Sequence, residues 1–286
     1  SYHHTDSIVK GFCHINVSGT GMSDLGELTI MPATGELKTG AGTQDNHMAG
    51  YSSLYRKDKE FASAGYYKVH LERYDIDVEL TATERVGLHN YIFPKSEKSR
   101  VIIDLGEGSA DRPTETYIKK VNDTLFEGHR FSTGWARDQR EYFSLIISKP
   151  VSDFIVYDRH KKFKGTERKG DYVKGFLEFS TEKDEKIMVK MGISTVSSKN
   201  ALENMMIELP DWDFARVKKN AEEKWENELA KIKIKTKDKK KKRVFYTAMY
   251  HTMIAPNLYH DLNGEYRGTD KIVYKDSTFT NYTLFS

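Results

Sequence analysis

Near the start of the chain, Gly11-Phe12-Cys13-His14-Ile15-Asn16-Val17-Ser18-Gly19-Thr20-Gly21 gathers three glycines, two hydroxyls, an imidazole and an amide. Glycine has no Cβ, so its N–H can approach a ligand closely. Neutral donors and acceptors of this kind suit a hydroxyl-rich ligand such as a sugar. Ser18, Gly19, Thr20 and Gly21 are the candidate contact residues. His14 and Asn16, two apart, project to one side where the run is extended. The plain alternative is a glycine-rich turn after a strand. No Gly-Lys-Ser/Thr follows and the G-x-G-x-x-G spacing is absent, so the run is neither a Walker loop nor a dinucleotide fingerprint.

Hydrolysis of a glycoside with inversion needs two carboxyl groups about 6.5–9.5 Å apart, one acting as acid and one as base. The sequence offers no convincing pair. Asp75, Asp77, Glu79 and Glu84 lie on or near one strand and read as exposed charges. Asp104, Glu107 and Asp111 surround glycines and read as turn formers. Asp261-Leu262-Asn263-Gly264-Glu265 starts like a calcium loop but lacks the later ligands of an EF-hand, and reads as a turn. Cys13 is the only cysteine in the sequence, so this chain cannot close a disulfide on itself, and it reads as a small core residue. No metal ligand set is identified.

The elements that must hold these groups are mostly strands. Ile76, Val78, Leu80 and Ala82 alternate with polar residues, and Phe143, Leu145 and Ile147 repeat the period. Val173, Leu177 and Phe179, then Val189, Met191 and Ile193, continue it. Turn signals separate the runs, which predicts a large antiparallel β-sandwich with little helix over residues 8–209. Lys57 to Ala64 is a short helical or looped insertion. After Pro210, Phe214, Val217, Ala221, Trp225, Leu229 and Ile232 recur every three or four residues and predict an amphipathic helix, with Trp225 as core packing. A second helix over 240–257 carries Phe245, Met249, Thr252 and Met253 inward and ends near Pro256.

Composition narrows the partners. The chain has 286 residues, with 45 Lys and Arg against 42 Asp and Glu, a net +3. No bulk field steers it toward nucleic acid or an anionic membrane. No window approaches about 18 consecutive apolar residues. The opening Ser1-Tyr2-His3-His4-Thr5-Asp6 lacks the basic and apolar regions of a signal peptide. The basic run Lys239 to Arg243 reads as a solvated linker or first helical turn, since no second patch or aromatic groove supports it as a nucleic-acid site.

Several further blocks carry a family resemblance: Arg73 to Arg85, His89-Asn90-Tyr91-Ile92-Phe93-Pro94, Phe131-Ser132-Thr133-Gly134-Trp135-Ala136, Phe245 to His251, and Phe279-Thr280-Asn281-Tyr282-Thr283. With the glycine run, and in this order, they resemble glycoside hydrolase family 92, bacterial calcium-dependent exo-acting α-mannosidases. In the family's first block a serine and a second histidine stand where this chain has Cys13 and Asn16, which bears on linkage specificity. The resemblance implies a mainly β fold: a sandwich over 1–209, a linker helix over 210–239, and the first part of an (α/α)6 barrel over 240–286. It implies that both ends are cut and that the acid, the base and most Ca2+ ligands lie in the rest of the barrel, beyond Ser286. This segment would then supply one wall of an interdomain pocket for mannose-containing glycans, through His14, Asn16, Ser18, Gly19, Thr20 and Gly21. Tyr266-Arg267-Gly268 and Asn281-Tyr282 are further candidates from the barrel side. The rival readings are a non-catalytic carbohydrate-binding β-sandwich module and a purely structural domain.

Overall fold

The computed structural model describes residues 5–16, 25–43, 45–108 and 111–283. Two antiparallel sheets hold most of the chain. The larger has nine strands in the order Glu167–Gly170, Arg112–Lys120, Leu125–Thr133, Gln139–Ile147, Glu185–Ser194, Val86–Phe93, Ile76–Ala82, Tyr66–Leu71 and Glu60–Ser63. The smaller has five, in the order Lys161–Phe163, Asp153–Asp158, Val173–Thr181, Ser96–Asp104 and Thr29–Thr34.

The two sheets pack face to face as a sandwich. Phe93 of the large sheet meets Phe179 of the small one edge-on at 5.5 Å, and Phe126 meets Phe154 at 5.3 Å. Phe143, Leu145 and Ile147 are all buried, as are Val173, Leu177 and Phe179. In Ile76–Ala82 the alternation slips at its end. Leu80 is half-buried and Thr81 is inside, its hydroxyl donating to the Gly65 carbonyl at 2.8 Å. The stretch after Tyr55 is one 3₁₀ turn, Lys57–Lys59, followed by the edge strand Glu60–Ser63.

Three helices follow. The first, α1 (Ser198–Glu208), lies inside the region expected to hold little helix. Ser197 caps it, accepting from the Asn200 N–H. Its buried face is Asn200, Ala201, Asn204 and Met205. Two amides on that face hide the apolar period. The second helix, α2 (Phe214–Leu229), has Asp213 as its N-cap and buries Val217 and Ala221. The expected stripe holds through Leu229 and fails at Ile232, which lies past the helix and is 51 % exposed. The third, α3 (Lys239–Thr252), starts at the Asp238 cap and buries no residue. Phe245, Met249 and Met253 are half-buried, but Thr252 is exposed and donates its hydroxyl to the Met249 carbonyl at 2.7 Å. Its expected inward position is corrected: local back-bonding on the last turn takes the hydroxyl.

Candidate functional site

The glycine run enters the fold as a short strand, Ile15–Asn16, paired antiparallel with Leu25–Glu27. Ser18, Gly19, Thr20 and Gly21 lie between these stems, outside the described residues. The stems themselves are pinned on both sides by buried polar chemistry.

On one side is a chain of three rings. The His14 Nδ1 lies 2.8 Å from the Leu28 carbonyl, which can only accept, so Nδ1 carries the proton. His14 Nε2 then accepts from His89 Nε2 at 2.9 Å, and His89 Nδ1 accepts from the Tyr91 hydroxyl at 2.7 Å. Both imidazoles are neutral. Burial pulls His14 down to about 4, and burial together with His14 holds His89 well below its ordinary value. The two rings stack at 4.9 Å. They sit over Gly87, where a Cβ would come within 2.8 Å of the His14 ring. Both His14 nitrogens are therefore engaged within the protein. Asn16 is exposed. Cys13 donates its thiol to the Asn16 side-chain oxygen at 3.1 Å, and burial pushes that thiol up.

On the other side is a cluster of buried charge. Glu27 and Arg130 are both fully buried and form an ion pair. Arg130 also pairs with Asp111 and donates to the Leu105 carbonyl at 2.9 Å. Ser132 donates to Glu27 Oε1 at 2.6 Å. Burial lifts the Glu27 carboxyl to about 7 against the pull of Arg130, with Asp111 adding to the rise. Nearby, burial and the Glu27 charge push the Glu141 carboxyl well above its ordinary value, and Gln139 donates to it at 2.9 Å. Asp111 is thus more than a turn former. Asp104 is both: its Oδ1 accepts the Gly106 and Glu107 N–H groups, while its Oδ2 takes Tyr51 and Lys174 at 2.6 Å each.

One cavity adjoins the first stem, and a second lies apart from both stems. The first, of about 660 Å³, is lined by Cys13, His14 and Gly87 on the sandwich side and by Trp225 and Tyr250 on the helical side. Trp225 is half-buried and packs on Tyr250 at 4.6 Å. The other, about 790 Å³, lies between the turn 134–138 and the segment 259–283, with Glu141, Tyr259, Tyr266 and Arg267 in its wall. Arg267 Nη2 lies 3.1 Å from Asp138 of that turn, so this arginine ties the C-terminal segment to the sandwich. Asp138 also pairs with Arg140 and Lys271 at 3.0 Å each; partial burial acts the other way, yet Lys271 and Arg140 draw the carboxyl down to about 2. Asn281 and Tyr282 line the same cavity.

The Asp261–Glu265 segment is a turn closed by the Gly264 N–H on the Asp261 carbonyl, with Gly264 at φ +83°. Its carboxylate is a hub that sequence reading did not reveal. Ser194 and Asn200 donate to Asp261 Oδ2 at 2.7 and 2.8 Å, and Asn204 donates to Oδ1 at 2.7 Å. Arg85 reaches the neighbouring His260 carbonyl at 2.8 Å while pairing with Glu208. The strand carboxylates also have partners: Asp77 on His70, Glu79 on Tyr66 and Asn90, Glu84 on Lys224. Among the described residues no group of three or more His, Cys, Asp or Glu side chains could hold a metal ion.

The chain covers 99 % of itself on the α-mannosidase BT3965 of Bacteroides thetaiotaomicron, at 32 % identity and a TM-score of 0.95, and spans 39 % of that protein. The same enzyme in complex with mannoimidazole gives 33 % identity and 0.94 over 99 % of this chain and 38 % of that one. The inverting mannosidase BT2199 of the same organism gives 25 % and 0.86, over 99 % of this chain and 37 % of that one. An "uncharacterized secreted glycosidase" of Arthroderma benhamiae is 24 % identical over 88 % of this chain, which spans 36 % of that protein. The chain thus spans well under half the length of these relatives. The glycosyl hydrolase family 92 N-terminal domain matches residues 1–194 and the family 92 catalytic domain matches 200–286, in that order along the sequence, and the chain belongs to glycosyl hydrolase family 92.

Proposed function

We propose that this chain is the N-terminal part of an inverting, calcium-dependent exo-α-mannosidase that removes terminal α-mannose from glycans. The observation that carries the reading is the likeness over 99 % of the chain to an α-mannosidase whose structure is known in complex with mannoimidazole. The paired carboxyl groups and most calcium ligands would come from catalytic-domain residues outside this segment. The described carboxylates do not fit a calcium site, since Asp261 already serves three donors and Glu27, Asp111 and Asp138 are tied to cations.

The segment's own part is to build one pocket wall. Ser18, Gly19, Thr20 and Gly21 would meet sugar hydroxyls with neutral donors. Asn16 would stand at the wall's exposed edge, and His14 would act as a positioning residue, because its ring nitrogens are spent on Leu28 and His89. Two findings support a rigid wall: the neutral His14–His89–Tyr91 chain and the Glu27–Arg130 pair hold the two stems of the run.

The test uses the protein at its natural length. Hydrolysis of an α-linked mannobiose should stop on chelation of divalent metal and return with calcium, and the mannose first released should be the β anomer. Gly21→Val should lose most activity without loss of fold. Thr20→Val should cost about 0.5–1.5 kcal/mol in kcat/KM, the worth of one neutral hydrogen bond. A folded Gly21→Val with wild-type kcat/KM would reduce the run to a turn. Mannose binding without any turnover would instead make the protein a carbohydrate-binding module.

A further inference from the structure

Charge in this chain is segregated in a way that its net value conceals. Between Lys231 and Arg243, nine of the residues are Lys or Arg and Asp238 is the one carboxylate, a local charge of +8. The whole chain carries +3, so all remaining residues together carry −5. Each of the nine cations is exposed. Lys231 pairs with Glu228, and Lys241 lies 3.9 Å from Asp238; the other seven have no ion pair to any described residue.

Local stability does not account for the run. Lys239 to Lys242 occupy the first turn of α3, where the helix dipole is positive and where the Asp238 cap is the one carboxylate set against four lysines. Upstream, Lys231, Lys233, Lys235 and Lys237 alternate with Ile232, Ile234 and Thr236 in the connection between α2 and α3. That gives a continuous cationic strip, part irregular chain and part helix. Aromatic residues are missing from it, so bases have nothing to stack on. Its one well-exposed apolar side chain is Ile232, too little for insertion into a bilayer. A linear polymer with repeated negative charges needs neither.

We propose that the strip Lys231–Arg243 docks an acidic polysaccharide, one carrying repeated carboxylate or phosphate groups, and holds the protein on that polymer. The proposal rests on the glycan-directed function above, which makes a charged glycan the favoured source of the anion. Docking would be driven by release of the polymer's counterions and would weaken steeply with salt.

The experiment measures binding of the natural-length protein to polymannuronate and to phosphorylated dextran across a salt series. The comparison variants replace Lys239, Lys240, Lys241 and Lys242 together by Gln or together by Arg. The wild type should bind at low salt, the Arg form should match it, and the Gln form should be weaker by roughly tenfold or more with an unchanged unfolding temperature. The two polymers tell carboxylate from phosphate. Equal binding by the Gln form overturns the proposal. So does a wild type that prefers phosphatidylglycerol vesicles or single-stranded DNA to both polymers at equal salt. Cleavage of a small neutral α-mannoside, measured on the same samples, should be unchanged in both variants. If no sample cleaves it, the functional reading fails on that arm, while the polymer arm still decides the strip.

Discussion

The Cys13 thiol and the Asn16 side-chain oxygen lie 3.1 Å apart, so the two residues that the sequence resemblance marks as departures from the family's first block are bonded to each other. A serine and a histidine would present a different pair of groups at the same two places. The departures are best read as one change rather than two.

That pairing sets the first expectation. Cys13→Ser and Asn16→His should be non-additive: the double variant should differ from the sum of the singles by about 0.5–1 kcal/mol in a thermal-unfolding cycle. The ratio of kcat/KM on two differently linked α-mannobioses should move more in the double variant than in either single one. Additive effects on both readouts would make the contact incidental.

Glu27 gives a pH expectation. Its folded value of about 7 lies above the ordinary 4.5, so the native state holds the proton more tightly. Its contribution to stability is therefore greatest at acid pH and is lost as pH rises from 4.5 through 7. Glu27→Gln should remove that loss, which is on the order of 3 kcal/mol. His14 acts with the opposite sign. With its value drawn down to about 4, the native ring stays neutral and stability falls as pH drops from 6.5 toward 4. His14→Gln should flatten that acid limb and leave the upper one. Unfolding followed from pH 4 to 8 in both variants separates the two limbs, and identical profiles would contradict the assignment.

At Gly192 an added Cβ would run into the Ala201 carbonyl oxygen and sit 3.0 Å from Met205 Cβ. The obstacle is helix backbone, which cannot swing away. Gly192→Ala should push α1 off the sheet and cost roughly 2–3 kcal/mol, read as a lower midpoint in denaturant. A neutral effect would mean that α1 is loosely seated.

Trp225→Ala should cost about 1–3 kcal/mol, below the roughly 3–5 of a fully buried tryptophan, because the ring is half-buried against Tyr250. The loss should shrink in a Tyr250→Leu background, measured by the same denaturant titration.

Strands with one apolar face were legible from their period, as in Phe143 to Ile147 and Val173 to Phe179. The helix Phe214–Leu229 was legible from its stripe to within a turn. What escaped was whatever buries polar groups. The α1 helix turns Asn200 and Asn204 inward, and a hydropathy period cannot see an amide that is satisfied by a distant carboxylate. The Arg130, Glu27 and Asp111 cluster escaped for the same reason: Asp111 read as a turn former, and nothing in the sequence joined it to Glu27 and Arg130 from two other segments. At the candidate site, the run 11–21 stood out by its residue types. Its supports did not, because His89 and Tyr91 sit 75 and more residues away from His14.

Asp261 serves Ser194, Asn200 and Asn204, and Arg85 holds the carbonyl of the very next residue upstream. Those donors belong to the end of the sandwich and to α1, while the acceptors belong to the stretch after α3. The boundary between the two matched domains therefore does not mark a place where the protein can be cut and rejoined. A chimera that kept the sandwich of this chain and took its C-terminal portion from a homologue would need an aspartate at the same point of the incoming turn. Without it, the graft would leave the buried Ser194 hydroxyl without its acceptor across the junction, and the two halves would inherit each other's fold only as a pair.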